Sequence, residues 1–143
     1  MIGDFMNGNQ SNFFHSINQF TRHFSKSLNE VLVPQGLYSA QWTIIYLLKT
    51  RGPATQKDLS LYLGVEAPTM TRTLARLELA GWISKVPGTD KREKKIMLTD
   101  AAILKYEGWL EAVRTCEKKI LENVNDDEIS LMMKIIEQMN KNL

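Results

Sequence analysis

The chain is poor in the residues that build metal centres and disulfides. It has one cysteine, Cys116, and two histidines, His15 and His23, among 143 residues. A single thiol excludes an internal disulfide framework and a Cys-rich metal site. Two histidines with no Cys or carboxylate cluster beside them make no metal centre either, so neither metal nor cofactor is expected. No apolar run reaches the ~18–20 residues of a membrane span. The opening MIGDFMNGNQ has neither the basic nor the apolar region of a signal peptide. The expected location is therefore cytoplasmic, with no membrane partner. P-loop, G-x-G-x-x-G, H-E-x-x-H and G-x-S-x-G motifs are absent, and no carboxylate sits in an apolar stretch suited to acid–base work. These absences argue against an enzyme. The net charge is only +2, so an affinity for nucleic acid has to come from where the charge sits.

What is present is mostly helical periodicity. The Gly/Asn-rich residues 1–10 are expected to fray. From Asn12 to Leu32, Phe13, Ile17, Phe20, Phe24, Leu28 and Val31 recur in steps of three and four, one stripe of a helix that Pro34-Gln35-Gly36 stops. Ser39 reads as the N-cap of a second helix with Trp42, Ile45, Tyr46 and Leu48. Thr55 opens a short third helix, TQKDLSLYL, with Asp58 three residues on and Gly64 beyond its end. A fourth helix has Pro68 in its first turn and Gly81 after it. Trp82–Val86 and Lys94–Leu98 alternate as strands around the turn Pro87–Asp90. Thr99 then caps a long helix with Ile103, Tyr106, Leu110, Val113, Ile120 and Val124. Asn125 with Glu128 opens the last one, carrying Ile129, Met132, Ile136 and Met139.

Two helices joined by a tight Gly turn make a helix-turn-helix pattern. At about 100° per residue, Met70, Leu74 and Leu77 of the fourth helix face a core. Pro68, Thr69, Arg72, Ala75 and Arg76 face the other way, with Thr71 and Thr73 beside them. That outer face lacks acids. Threonine and arginine donate to phosphates and base edges, and arginine can pair with guanine through two bonds. Between Trp82 and Lys95, Lys85, Lys91, Arg92, Lys94 and Lys95 outnumber Asp90 and Glu93. The hairpin thus carries more net positive charge than the whole chain. In an extended strand Asp90 and Arg92 point to one side, where the carboxylate can hold the guanidinium. Narrow A·T-rich minor grooves attract such an arginine.

The stretch VEAPTMTRTLARLELAGWISKVPGTDKREKKIMLT resembles the core of the MarR (multiple antibiotic resistance regulator) family of winged helix-turn-helix regulators. The resemblance rests on T-x-T-R (Thr69, Thr71, Arg72), R-L-E-x-x-G (Arg76 to Gly81) and D-x-R followed by L-T (Asp90, Arg92, Leu98, Thr99). Trp82 departs from it, standing where a smaller aliphatic residue is common. The resemblance implies a mainly α fold with a small β-hairpin wing, at about 39–99. This domain is flanked by dimerisation helices at about 11–33 and 100–143, within one domain of 1–143. It implies a bacterial transcription regulator that binds a palindromic operator in double-stranded DNA as a homodimer and represses. Thr69, Thr71, Arg72 and Arg76 would face the major groove, and Pro68 and Thr73 are counted with them as recognition-helix candidates. Arg92, oriented by Asp90, would enter the minor groove. Lys85, Lys91, Lys94 and Lys95 are the other DNA-binding candidates of the wing, with Lys91, Lys94 and Lys95 either phosphate contacts or simply solvated.

The terminal helices carry more apolar surface than such a domain covers, at Phe13, Phe20 and Phe24 and at Ile129, Met132, Ile136 and Met139. That excess marks an interface, and a two-fold dimer is its commonest form. Many regulators of this family are released by small aromatic or phenolic ligands. Phe14, His15, Trp42, Tyr46 and Trp109 are the residues that would line such a pocket. Cys116 lies late in the long helix, away from the N-terminal position used by oxidant-sensing relatives, and is expected to be structural. The competing class is a winged-helix module for protein–protein contact with no operator of its own.

Overall fold

The computed structural model describes residues 2–89 and 93–143, with side chains from residue 12 onward. Helix α1 (Ile2–Leu32) ends in a 3-10 turn (Val33–Gln35) and leads to α2 (Ser39–Arg51). A two-residue strand β1 (Ala54–Thr55) precedes α3 (Gln56–Leu63) and α4 (Ala67–Leu79). Strands β2 (Ile83–Pro87) and β3 (Lys94–Leu98) form the hairpin, followed by α5 (Asp100–Ile120) and α6 (Asp126–Lys141). The antiparallel sheet has the order β1-β3-β2. Ile83 pairs with Leu98 and Lys85 with Ile96, while Ala54 meets Ile96 from the other side.

The core lies between α2, α4, the sheet and the first half of α5. Ile45, Leu74, Leu77 and Trp109 are completely buried there. Leu32 and Leu37 anchor the end of α1 to the same cluster. Caps set the helix starts. The Thr55 hydroxyl accepts from the Asp58 N–H at 3.1 Å. Asn125 and Glu128 form a reciprocal capping box at 2.8 and 3.0 Å. At the α3–α4 turn Gly64 takes a left-handed φ of 64°, a conformation open to glycine at little cost.

Four expectations change. Helix α1 starts at Ile2 rather than near Asn12, because extending an existing helix adds a hydrogen bond per residue without a new nucleus. Tyr38, not Ser39, is the N-cap of α2. Its N–H bonds the Gln41 side chain at 2.9 Å, while the Ser39 hydroxyl meets that of Ser25 at 2.7 Å. On α5 the buried stripe runs Ala102, Tyr106, Trp109 and Val113, leaving Ile103 about half exposed. Finally, α5 stops at Ile120, and Val124 belongs to the turn before α6.

Candidate nucleic-acid interface

The apolar side of α4 (Met70, Leu74, Leu77) is buried, so its other side is forced outward. Pro68, Thr69, Thr71, Arg72, Ala75 and Arg76 are all exposed there, with Thr73 half-buried at the edge. The three threonines differ in what their hydroxyls can still do. The Thr71 hydroxyl donates to the Ala67 carbonyl at 2.9 Å, and that of Thr73 donates to the Thr69 carbonyl at 2.9 Å. The Thr69 hydroxyl instead accepts from the Arg72 guanidinium at 3.3 Å. A hydroxyl has one proton and two lone pairs. Thr69 therefore retains a proton to give, and Thr71 and Thr73 do not.

The hairpin stands beside this helix. Its closing pair is Pro87 with Lys94, and the Gly88 N–H bonds the Glu93 carbonyl at 2.9 Å. Register and pleat separate the wing lysines. Lys85 and Lys94 share a face with Ile83 and Ile96, and Lys95 lies on the opposite face with Met97. With Thr55, Gln56 and Lys57 of the α3 entrance, Lys85, Glu93 and Lys94 border a groove of about 320 Å³. Three lysines against one glutamate make it a positive cleft between α3 and the wing. Asp90, Lys91 and Arg92, the expected groove probe and its neighbours, lie outside the described residues.

Two participants escaped the sequence reading. Gln56, the first residue of α3, donates to the Thr71 hydroxyl at 2.7 Å, and Lys57 borders the cleft. The only sequence signal was their place directly after the Thr55 cap, since the partner of Gln56 is 15 residues away.

The residues expected at an effector pocket separate. Trp42 and Tyr46 line a cavity of about 270 Å³ between α2 and α5 with Leu110, Val113, Arg114 and Glu117. Trp42 also stacks on Tyr106, at 5.6 Å between centroids. Burial, aided by the negative charge of neighbouring groups, holds the Tyr106 phenol above its ordinary pKa. Trp109 does not border that cavity. It is fully buried, with its indole N–H donating to the Gln35 carbonyl at 3.1 Å. Phe14 and His15 stand exposed on α1.

The residues expected at a dimer interface lie on surfaces that this chain leaves uncovered. Helix α6 buries none of its residues. Met132 and Ile136 are exposed, and Ile129 and Met139 are half-buried. On α1, Phe13 and Phe20 are exposed, and Phe20 stacks on the half-buried Phe24 at 6.0 Å. No helix among the described residues is long and apolar enough to cross a membrane.

Comparisons with known proteins agree with this architecture. The sequence model of the MarR family matches residues 37–94, from the approach to α2 to the first residue of β3. Over 114 residues, 80% of this chain and 83% of the relative, the sequence is 47% identical to YwoH, an HTH-type transcriptional regulator of Bacillus subtilis. The fold is similar to that of a cysteine-to-serine mutant of MarR from E. coli, solved in complex with operator DNA. The TM-score is 0.83 at 22% identity, over 92% of this chain and 96% of that one. Reduced AbfR bound to DNA is similar with a TM-score of 0.78 and 25% identity, over 93% of each chain. These relatives are regulators rather than enzymes. Sequence identity of 47% over most of the chain, joined to the family match across the helix-turn-helix and the first strand of the wing, makes the chain a transcription regulator of the MarR family.

Proposed function

We propose that the protein is a cytoplasmic repressor that binds a palindromic operator as a homodimer and is released by a small aromatic or phenolic ligand. The observation that carries this reading is the acid-free Thr/Arg face of α4, set outward beside a lysine-lined cleft. Arg72 and Arg76 read base edges in the major groove. Thr69, whose hydroxyl proton is uncommitted, serves a phosphate or a base acceptor. Lys57, Lys85 and Lys94 hold the backbone, supplying salt-dependent affinity and register. Arg92, oriented by Asp90, is the residue assigned to the adjacent minor groove in this reading, with Lys91 serving a phosphate.

Dimerisation is supported by the uncovered apolar sides of α1 and α6. Covering one large apolar side chain is worth roughly 1.5–3 kcal/mol, so Phe13, Phe20, Met132 and Ile136 together supply a substantial drive. The effector site in this reading is the Trp42–Tyr46 cavity. Its aromatic wall suits a planar ring, and Arg114 suits a phenolate or carboxylate.

Selection of duplexes from a random pool, followed by a salt titration, tests the proposal. The expected result is a palindrome with half-sites about 10 bp apart, centre to centre. Its affinity should exceed that for random duplex by about 10³-fold or more and fall steeply with salt. A protein that enriches no motif at moderate salt is instead a winged-helix module for protein–protein contact.

A further inference from the structure

We infer that Gln56 is a positioning residue that makes Thr71 an acceptor-only reader of bases; this rests on the DNA-reading role proposed above for α4. The geometry is a relay of two hydrogen bonds through one oxygen. The Gln56 amide donates to the Thr71 hydroxyl at 2.7 Å, and that hydroxyl donates to the Ala67 carbonyl at 2.9 Å. Its proton and one lone pair are therefore used, and one lone pair remains, with the γ-methyl beside it.

What is left determines what Thr71 can contact. Phosphate oxygens only accept, so an acceptor-only hydroxyl cannot bond them, and Thr71 is not a backbone anchor. Guanine presents only the acceptors N7 and O6 to the major groove, and these repel a lone pair. Adenine N6 and cytosine N4 are donors, and the thymine methyl suits the threonine methyl. At the base facing Thr71, guanine is thus the one that the pair rejects. Gln56 touches no base in this role. It keeps the hydroxyl from turning its proton outward, and it ties the first turn of α3 to the reading helix.

The test compares motifs selected from a random duplex pool by the wild type, Gln56→Met, Thr71→Val and the double variant. Methionine keeps the length of Gln56 without its donor, and valine keeps the shape of Thr71 without its hydroxyl. Gln56→Ala serves as a second variant should the methionine disturb folding. The expected result is guanine depleted at one position of each wild-type half-site. Each single variant should raise guanine at that same position by roughly three- to tenfold, the scale of one net hydrogen bond. The double variant should do no more than Thr71→Val alone. Unchanged guanine depletion in Gln56→Met and Gln56→Ala overturns the inference while leaving the DNA-reading role standing. So do effects at different positions, or effects that multiply. A wild type that enriches no motif removes the DNA-reading role itself, and the inference with it.

Discussion

Trp82 and Trp109 meet edge to face, with ring centroids 5.0 Å apart and planes at 87°. The contact joins the base of the wing to the middle of α5. The two rings are not equivalent, because the Trp109 indole N–H is bonded to Gln35 whereas that of Trp82 is buried without a partner among the described residues. Trp109→Phe, which leaves the buried Gln35 carbonyl without its donor, should therefore cost about 1–3 kcal/mol. Trp82→Phe should cost less than about 1 kcal/mol, since the lost ring area is offset by removing an unsatisfied donor. Urea unfolding at a fixed protomer concentration measures both, and equal costs would contradict the asymmetry.

The Thr99 hydroxyl closes two chain ends at once. It donates to the Gly81 carbonyl at 2.6 Å and accepts from the Ala102 N–H at 3.2 Å. Thr99→Val is expected to lower stability by about 1–2 kcal/mol, and Thr99→Ser to restore most of it. The same unfolding experiment reads the pair.

A Cβ at Gly88 would stand 2.8 Å from the Glu93 carbonyl oxygen, a backbone atom that cannot step aside. Gly88→Ala should open the hairpin turn and cost about 1–3 kcal/mol. Hydrogen exchange should quicken at Gly88 and along β2–β3 while α2 and α5 keep their protection.

Phe20→Glu combined with Ile136→Glu places like charges on the uncovered sides of α1 and α6. On the proposed homodimer, light scattering should show a dimer for the wild type and a monomer for the double variant, with affinity for the selected operator reduced by at least about tenfold. A monodisperse dimer from the double variant would count against this interface.

Burial, and then the charges of Glu117 and Glu30, push the Cys116 thiol above its ordinary value of 9.0. Tyr106 is raised above 10.0, mainly by burial. Both groups favour the neutral form in the folded state, so their contribution to stability is complete below pH 9. It is lost as pH rises through the ordinary values toward the folded ones. Stability should be flat in these groups near neutrality and fall in the alkaline range, and Cys116→Ala should remove part of that fall. Iodoacetamide should label the folded thiol slowly at pH 7.

Much of this organisation was legible because local signals and burial agree. Thr55, Gly64, Thr99 and Asn125 with Glu128 punctuate the helices, and the outward Thr/Arg face of α4 followed from the positions of Met70, Leu74 and Leu77. What stayed hidden depends on partners distant in sequence. A two-residue strand such as β1 has no period to detect. Ser39 looked like a cap, but its hydroxyl is taken by Ser25, and a Gln41 side chain serves Tyr38 instead. Trp109 reads in sequence as one more aromatic for a pocket, yet its bond to Gln35 spans 74 residues and holds it in the core. The role of Gln56 is of the same kind, visible only once α3 and α4 are placed together.

The Thr99 junction has a mechanical consequence. Through it the turn after α4, the base of the wing and the start of α5 are hydrogen-bonded together. At 21 residues α5 is a rod of about 30 Å. A tilt of about 5° at its far end would carry the joined end sideways by about 3 Å, close to the distance between neighbouring base pairs along the duplex. The long helix thus has the proportions of a lever arm, in which a small tilt at one end is a displacement of base-pair scale at the other.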